Sequence, residues 1–192
     1  MVKRVAFISV AVLCIGALAW GGYTYVNRPP AMPDLDRPFT PRADLPQVIR
    51  DESVQRVAAA AAELRDNPDL ISRWLEIASQ RKGANHFEGA EEILLYAAFR
   101  WPDDAVVLNN LADLYQNYLN EYRKAEAYWQ KLIALEPENI SAYRNLADLY
   151  RFKTTEYPKA IATLEKALAI ATESGDADAI HVIEAELANI PR

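Results

Sequence analysis

Asn110-Leu111-Ala112-Asp113-Leu114-Tyr115 recurs 35 residues on as Asn145-Leu146-Ala147-Asp148-Leu149-Tyr150, and each copy is followed by Glu-Tyr-x-Lys-Ala, at 121–125 and 156–160. One offset shared by two separated blocks marks a structural repeat, and a period of this size is that of helical hairpins stacked in a row. From Asp51 onward Ala, Leu and Glu dominate windows with a 3.6-residue apolar period, glycine is scarce, and apolar and polar residues do not alternate. This region is predicted to be all-α. It carries 15 Lys and Arg against 24 Asp and Glu, a net of minus nine, so it repels phosphate backbones and nucleic acid is not its expected partner.

Toward the amino terminus the composition changes. Val5 to Val26 is a run of 22 residues without a charge, preceded by Lys3 and Arg4 and ending among Trp20, Tyr23 and Tyr25. At about 1.5 Å per helical residue it crosses a hydrocarbon core of roughly 30 Å, and the aromatic rings suit its outer interface. Residues 1–26 are therefore read as a signal-anchor, a single transmembrane helix. A cleaved secretory signal ending near Ala17-Leu18-Ala19 is the competing reading, and lipidation at Cys14 a weaker one because Leu13 is bulky. With its basic amino-terminal flank in the cytoplasm, the anchor would place the rest of the chain on the periplasmic face of a bacterial inner membrane. Cys14 is the only cysteine, so a disulfide framework, a thiolate zinc site and a cysteine nucleophile are excluded beyond the anchor.

Residues 27–50 contain Pro29, Pro30, Pro33, Pro38 and Pro41. Prolines remove donors and disfavour helix in the preceding residue, so an extended, unattached tether is expected here.

Within the helical region Trp74, Ile77 and Ala78, followed by Ala90, Leu94, Ala97 and Pro102, resemble the signature of the tetratricopeptide-repeat family. A second set is Leu108, Leu111, Ala112, Tyr115, Ala125, Trp129, Leu132 and Pro137; a third is Tyr143, Leu146, Ala147, Tyr150, Ala160, Leu164 and Ala167. The resemblance implies a right-handed superhelical stack of hairpins at 71–104, 105–139 and 140–174, the last two with an extra residue expected in the turn. Arg81 stands where the family prefers Tyr, and Thr172 replaces the closing proline of the third copy. Covers are expected at both ends: a helix within 51–70, and one within 175–192 N-capped by Asp176.

In this family the first helix of each hairpin lines the concave face and chooses the ligand. The resemblance thus nominates a protein-binding groove of Asn109, Asn110, Asp113 and Asn117 in the second repeat and Arg144, Asn145, Asp148 and Arg151 in the third. Gln116 joins them, with Glu76, Ser79 and Lys82 as counterparts in the first repeat. Side-chain amides both donate and accept, which suits the backbone of an extended peptide. Asp113 and Asp148 favour a partner bearing Lys or Arg over an acidic tail. The family's carboxylate-gripping pattern is not met, because Leu75 and Ser79 stand in place of its first Lys and Asn. Tyr118, Tyr122, Tyr128 and Phe152 form a second, aromatic candidate surface.

Nothing nominates a catalytic residue. His86 and His181 lack neighbouring groups that would make a base or a metal ligand, and no glycine-rich phosphate loop occurs. The expected activity is that of a membrane-anchored adaptor without cofactor, metal or enzymatic step, binding a peptide segment of a partner in an envelope or membrane complex. The alternative is a permanent subunit of such a complex, packed through the tether and the convex face. Oligomeric state is not readable from the sequence.

Overall fold

The computed structural model describes residues 30–191, all of whose regular structure is helical. The predicted span 5–26 lies outside the described residues; among those described, no helix is long and apolar enough to cross a membrane. From Met32 onward eight helices follow one another: α1 Gln47–Asp66, α2 Ile71–Gly83, α3 Phe87–Arg100, α4 Ala105–Leu114, α5 Tyr122–Leu135, α6 Ile140–Asp148, α7 Tyr157–Ser174 and α8 Ala177–Ala188. Each packs on its neighbours in the chain, so α2/α3, α4/α5 and α6/α7 are three hairpins between single helices at either end.

Local chemistry sets the boundaries. Asp104, Asn139 and Asp176 each cap the helix that follows, accepting from the amides of Val107, Ala142 and Ala179 at 2.9, 3.0 and 3.0 Å. Gly175, at φ 72°, ends α7 with Asp176 N–H donating back to Ala171 O at 3.0 Å. The small residues Ala78, Ala90, Ala112, Ala125, Ala147 and Ala160 are all buried where paired helices touch, and Trp74, Leu108, Leu111, Trp129, Leu132 and Leu164 fill the space around them.

The extra residue of the second and third hairpins is not in the turn, as the sequence suggests, but inside the helix. Tyr115–Leu119 and Leu149–Lys153 are π-helical turns that prolong α4 and α6. In the first hairpin His86 N–H closes the turn on Arg81 O, whereas Glu121 and Glu156 close it one residue later on Tyr115 O and Tyr150 O, at 3.0 and 2.8 Å. The acceptors stay in register with the core and the wider turn absorbs the insertion. Behind each lies a left-handed residue, Asn85, Asn120 or Thr155, at φ 63°, 56° and 56°. Asn accepts that backbone readily; β-branched Thr155 is strained there.

The proline-rich segment also departs from expectation. Residues 32–46 form a strap along α1, α2 and α3 rather than a free tether, and α1 begins at Gln47. Pro33 is buried, and Leu35 and Phe39 pack on the core. Arg37 pairs with Glu92 of α3, Asp36 with Arg65 of α1, and the Phe39 ring meets His86 edge-on at 6.1 Å. Proline forbids helix but not burial; an extended backbone carrying apolar side chains fills a furrow between helices well.

Candidate functional site

The helices present two faces, each stitched by its own set of polar contacts. On the second-helix face, formed by α3, α5 and α7, one arrangement occurs twice. Tyr115 Oη donates to Glu91 Oε1 at 2.6 Å, and Tyr150 Oη donates to Glu126 Oε1 at 2.6 Å. Lys124 Nζ lies 3.3 Å from the first carboxylate and 4.7 Å over the Tyr115 ring; Lys159 Nζ lies 3.5 Å and 5.0 Å from the corresponding groups. Glu121 and Glu156 hold the two lysines at 2.6 and 2.7 Å. The block Glu-Tyr-x-Lys-Ala is therefore half of an inter-repeat clasp, its Glu and Lys completed by a tyrosine and a carboxylate from other helices. Burial, then the bond to Glu91 or Glu126, pushes both phenols above their ordinary range, so both remain donors.

At the first interface the clasp is replaced. Arg81 takes the tyrosine position and Gly89 the lysine position, 35 residues before Lys124. A Cβ on Gly89 would lie 3.2 Å from Arg81 Cδ and 3.1 Å from its Nη1, so the glycine makes room for the buried arginine. The strap supplies the acceptor, Arg37 O, at 3.4 Å from Arg81 Nη2. Burial lowers the Arg81 pKa, and the nearby Arg37 adds to this.

The first-helix face, formed by α2, α4, α6 and α8, carries the residues nominated from sequence. Lys82 Nζ reaches from α2 to Asp113 Oδ2 on α4 at 2.8 Å, and Asn117 Nδ2 holds the other oxygen at 2.8 Å. Asn110 donates to Val106 O of its own helix at 2.8 Å, leaving its amide partly spent. Asn109 is exposed beside a depression of about 280 Å³ lined by Val106, Leu132, Glu136 and Asn139. Arg144 is not free: its Nε lies 3.1 and 3.2 Å from the two carboxylate oxygens of Glu186 on α8, which raises its pKa further. Asn145 is half-buried and makes no side-chain hydrogen bond among the described residues. Asp148 makes no side-chain hydrogen bond among the described residues, Arg151 Nη1 lying at 3.9 Å; burial, and then Glu186, pushes its carboxyl up against the opposing pull of Arg151 and Arg144. The Arg151 guanidinium lies 4.6 Å over the Phe152 ring.

Three nominations from sequence need correction. Gln116 does not face the groove; the π turn carries it into the core, where its Oε1 accepts from Trp129 Nε1 at 2.7 Å. Tyr122 and Tyr128 are packed against the core, Tyr128 stacking on Tyr115 at 5.7 Å, so of the aromatic set only Tyr118 and Phe152 are exposed. Glu186 and the clasp residues Glu91 and Glu126 were missed. They meet their partners only across helices; Glu91 and Glu126 recur at the 35-residue offset with the repeated Lys, and Glu186 carries no such signal.

His86 sits at the start of α3 against Phe39 and His181 is exposed on α8. Among the described residues, no group of three or more His, Cys, Asp or Glu could hold a metal ion.

Successive helical hairpins of 34 to 35 residues, with inter-hairpin contacts that recur between the later copies and a polar first-helix face, define a hairpin-repeat protein, a class built around extended binding surfaces. Residues 142–178, the third hairpin and the start of α8, match the family model described as tetratricopeptide repeat, which supports a tetratricopeptide-repeat protein. No curated protein matches the sequence closely enough to count as a relative. Members of this family serve protein–protein interaction and are generally not catalysts.

Proposed function

We propose that this protein is a membrane-anchored adaptor whose first-helix face, the concave groove of the stack, holds an extended peptide segment of a partner in an envelope or membrane complex. Residues 1–26 anchor it, and the repeats stand on the periplasmic side of a bacterial inner membrane. The observation that carries the binding reading is the unequal use of polar groups on that face. Lys82, Asp113 and Arg144 are engaged within the chain, while Asn109, Asn145 and Asp148 retain donors and acceptors. Backbone amides and carbonyls of an extended segment suit those groups, and the engaged pairs hold the helices that present them.

Photo-crosslinking from position 145 in cells, with position 123 on the opposite face as control, tests this. A discrete partner captured at 145 and absent at 123, which also co-purifies with the unsubstituted protein and no longer does so when Asn109 and Asn145 are both replaced by alanine, is the expected result. Equal capture at both positions contradicts it. A stoichiometric subunit that co-purifies in mild detergent and survives the groove substitutions would instead support a permanent structural subunit. Enzyme activity in the cytoplasmic compartment from a reporter fused after Arg192 would overturn the periplasmic placement.

A further inference from the structure

The two copies of the repeated hexapeptide differ in one respect that their sequence identity hides. Lys82 stands 31 residues before Asp113 and bonds it at 2.8 Å; 31 residues before Asp148 stands Asn117, which carries no charge and turns back to Asp113. One repeat step is thus closed by a cation from the preceding helix, and the next is left without one. We propose that Asp148 is the specificity-determining position of the groove: it receives the cation of a lysine or arginine on an extended partner peptide, seated as Lys82 is seated on Asp113, with the aliphatic stem against Phe152.

This rests on the groove reading above. The side chains around the position fit the assignment. Phe152 is 65% exposed, one turn beyond Asp148, and offers apolar surface to a long stem. Arg151 reaches both Asp148 and Phe152 but makes no hydrogen bond to the carboxylate. Arg144 is held by Glu186 through Nε and Nη2 and makes no hydrogen bond to Asp148. Burial and the neighbouring Glu186 raise the half-buried carboxyl more than Arg151 and Arg144 lower it, so the two arginines leave its charge only partly offset.

The test uses the full chain in mild detergent and a phage-displayed library of random peptides, with enriched peptides resynthesised. Binders that crosslink at position 145 are expected to share a Lys or Arg at one fixed place. Replacing that lysine by norleucine, and Asp148→Asn in the protein, should each weaken binding by about five- to tenfold, and together hardly more than either alone. Asn117→Lys supplies the cation from within the chain and should weaken the same peptides while leaving the thermal melt unchanged or raised, which separates loss of recognition from loss of fold. Groove-crosslinking peptides without a fixed basic residue, or additive losses, overturn this proposal alone. Absence of any binder that crosslinks at 145 overturns the groove reading and this proposal with it.

Discussion

Removing the Tyr150 hydroxyl, Tyr150→Phe, isolates one contact of the clasp. The phenol is 4% exposed and its Oη lies 2.6 Å from Glu126 Oε1, so the substitution keeps the ring, its packing and the lysine above it, and deletes a single donor. A hydrogen bond to a charged group contributes about 1.5–3 kcal/mol. Glu126 keeps Lys159 at 3.5 Å and a side chain 27% open to water, so the deserted carboxylate is partly resatisfied. The expected loss is therefore about 1–2 kcal/mol, or about 2–8 °C in a melt for a domain of this size. Tyr150→Phe, Glu126→Gln and the double variant, followed by far-ultraviolet circular dichroism in urea, form a cycle whose coupling should be about 1 kcal/mol. Additivity within about 0.5 kcal/mol would refute the clasp. The pair Tyr115 and Glu91 should give a similar coupling. Since each clasp joins neighbouring repeats, weakening either should also lower the apparent cooperativity of unfolding.

Phe39→Ala, which empties the strap's hold on α2 and α3, should cost about 1–3 kcal/mol and raise hydrogen exchange in α1 to α3 while α6 to α8 stay protected; unchanged exchange would mean that the strap contributes nothing. Gly83→Ala meets no atom within 4 Å and should gain up to about 1 kcal/mol in a melt, whereas Gly89→Ala should gain nothing because its methyl presses on buried Arg81; equal gains would contradict that account. The raised Asp148 carboxyl means that the folded chain holds this proton more tightly than the unfolded one, so stability from this group is greatest in acid and falls as pH rises from the ordinary carboxylate range through the raised value. Asp148→Asn should thus melt higher than the parent at neutral pH, by less than about 1 kcal/mol given its exposure, and lose that advantage in acid; a lower melt at neutral pH would refute the sign.

What the sequence made legible follows from the kind of force involved. Burial at a fixed period leaves a mark that one strand of text can show: Trp74, Leu111, Ala125 and Leu164 are apolar where the hairpins need them, and all are buried. The N-cap at Asp176 is equally local, an acid three residues before the amide it accepts from. The clasp is different, because Glu91, Tyr115 and Lys124 come from three helices and no spacing rule connects them before the stack exists. The same limit explains Arg144, nominated for the groove; its partner Glu186 lies 42 residues away on the helix expected only to cover the stack.

The strap shows how a correct local rule gives a wrong larger conclusion. Prolines at 33, 38 and 41 do keep residues 32–46 out of a helix, as their chemistry requires. Whether a non-helical segment floats or docks depends on what faces it, and here Arg81 and Gly89 mark the place. Where the later interfaces carry Tyr and Lys for a clasp of their own, the first carries an arginine needing a carbonyl and a glycine leaving space for it. The first copy's departures from the repeat, Arg81 in place of Tyr and Gly89 in place of Lys, were therefore the sequence signs that something other than a helix completes that interface.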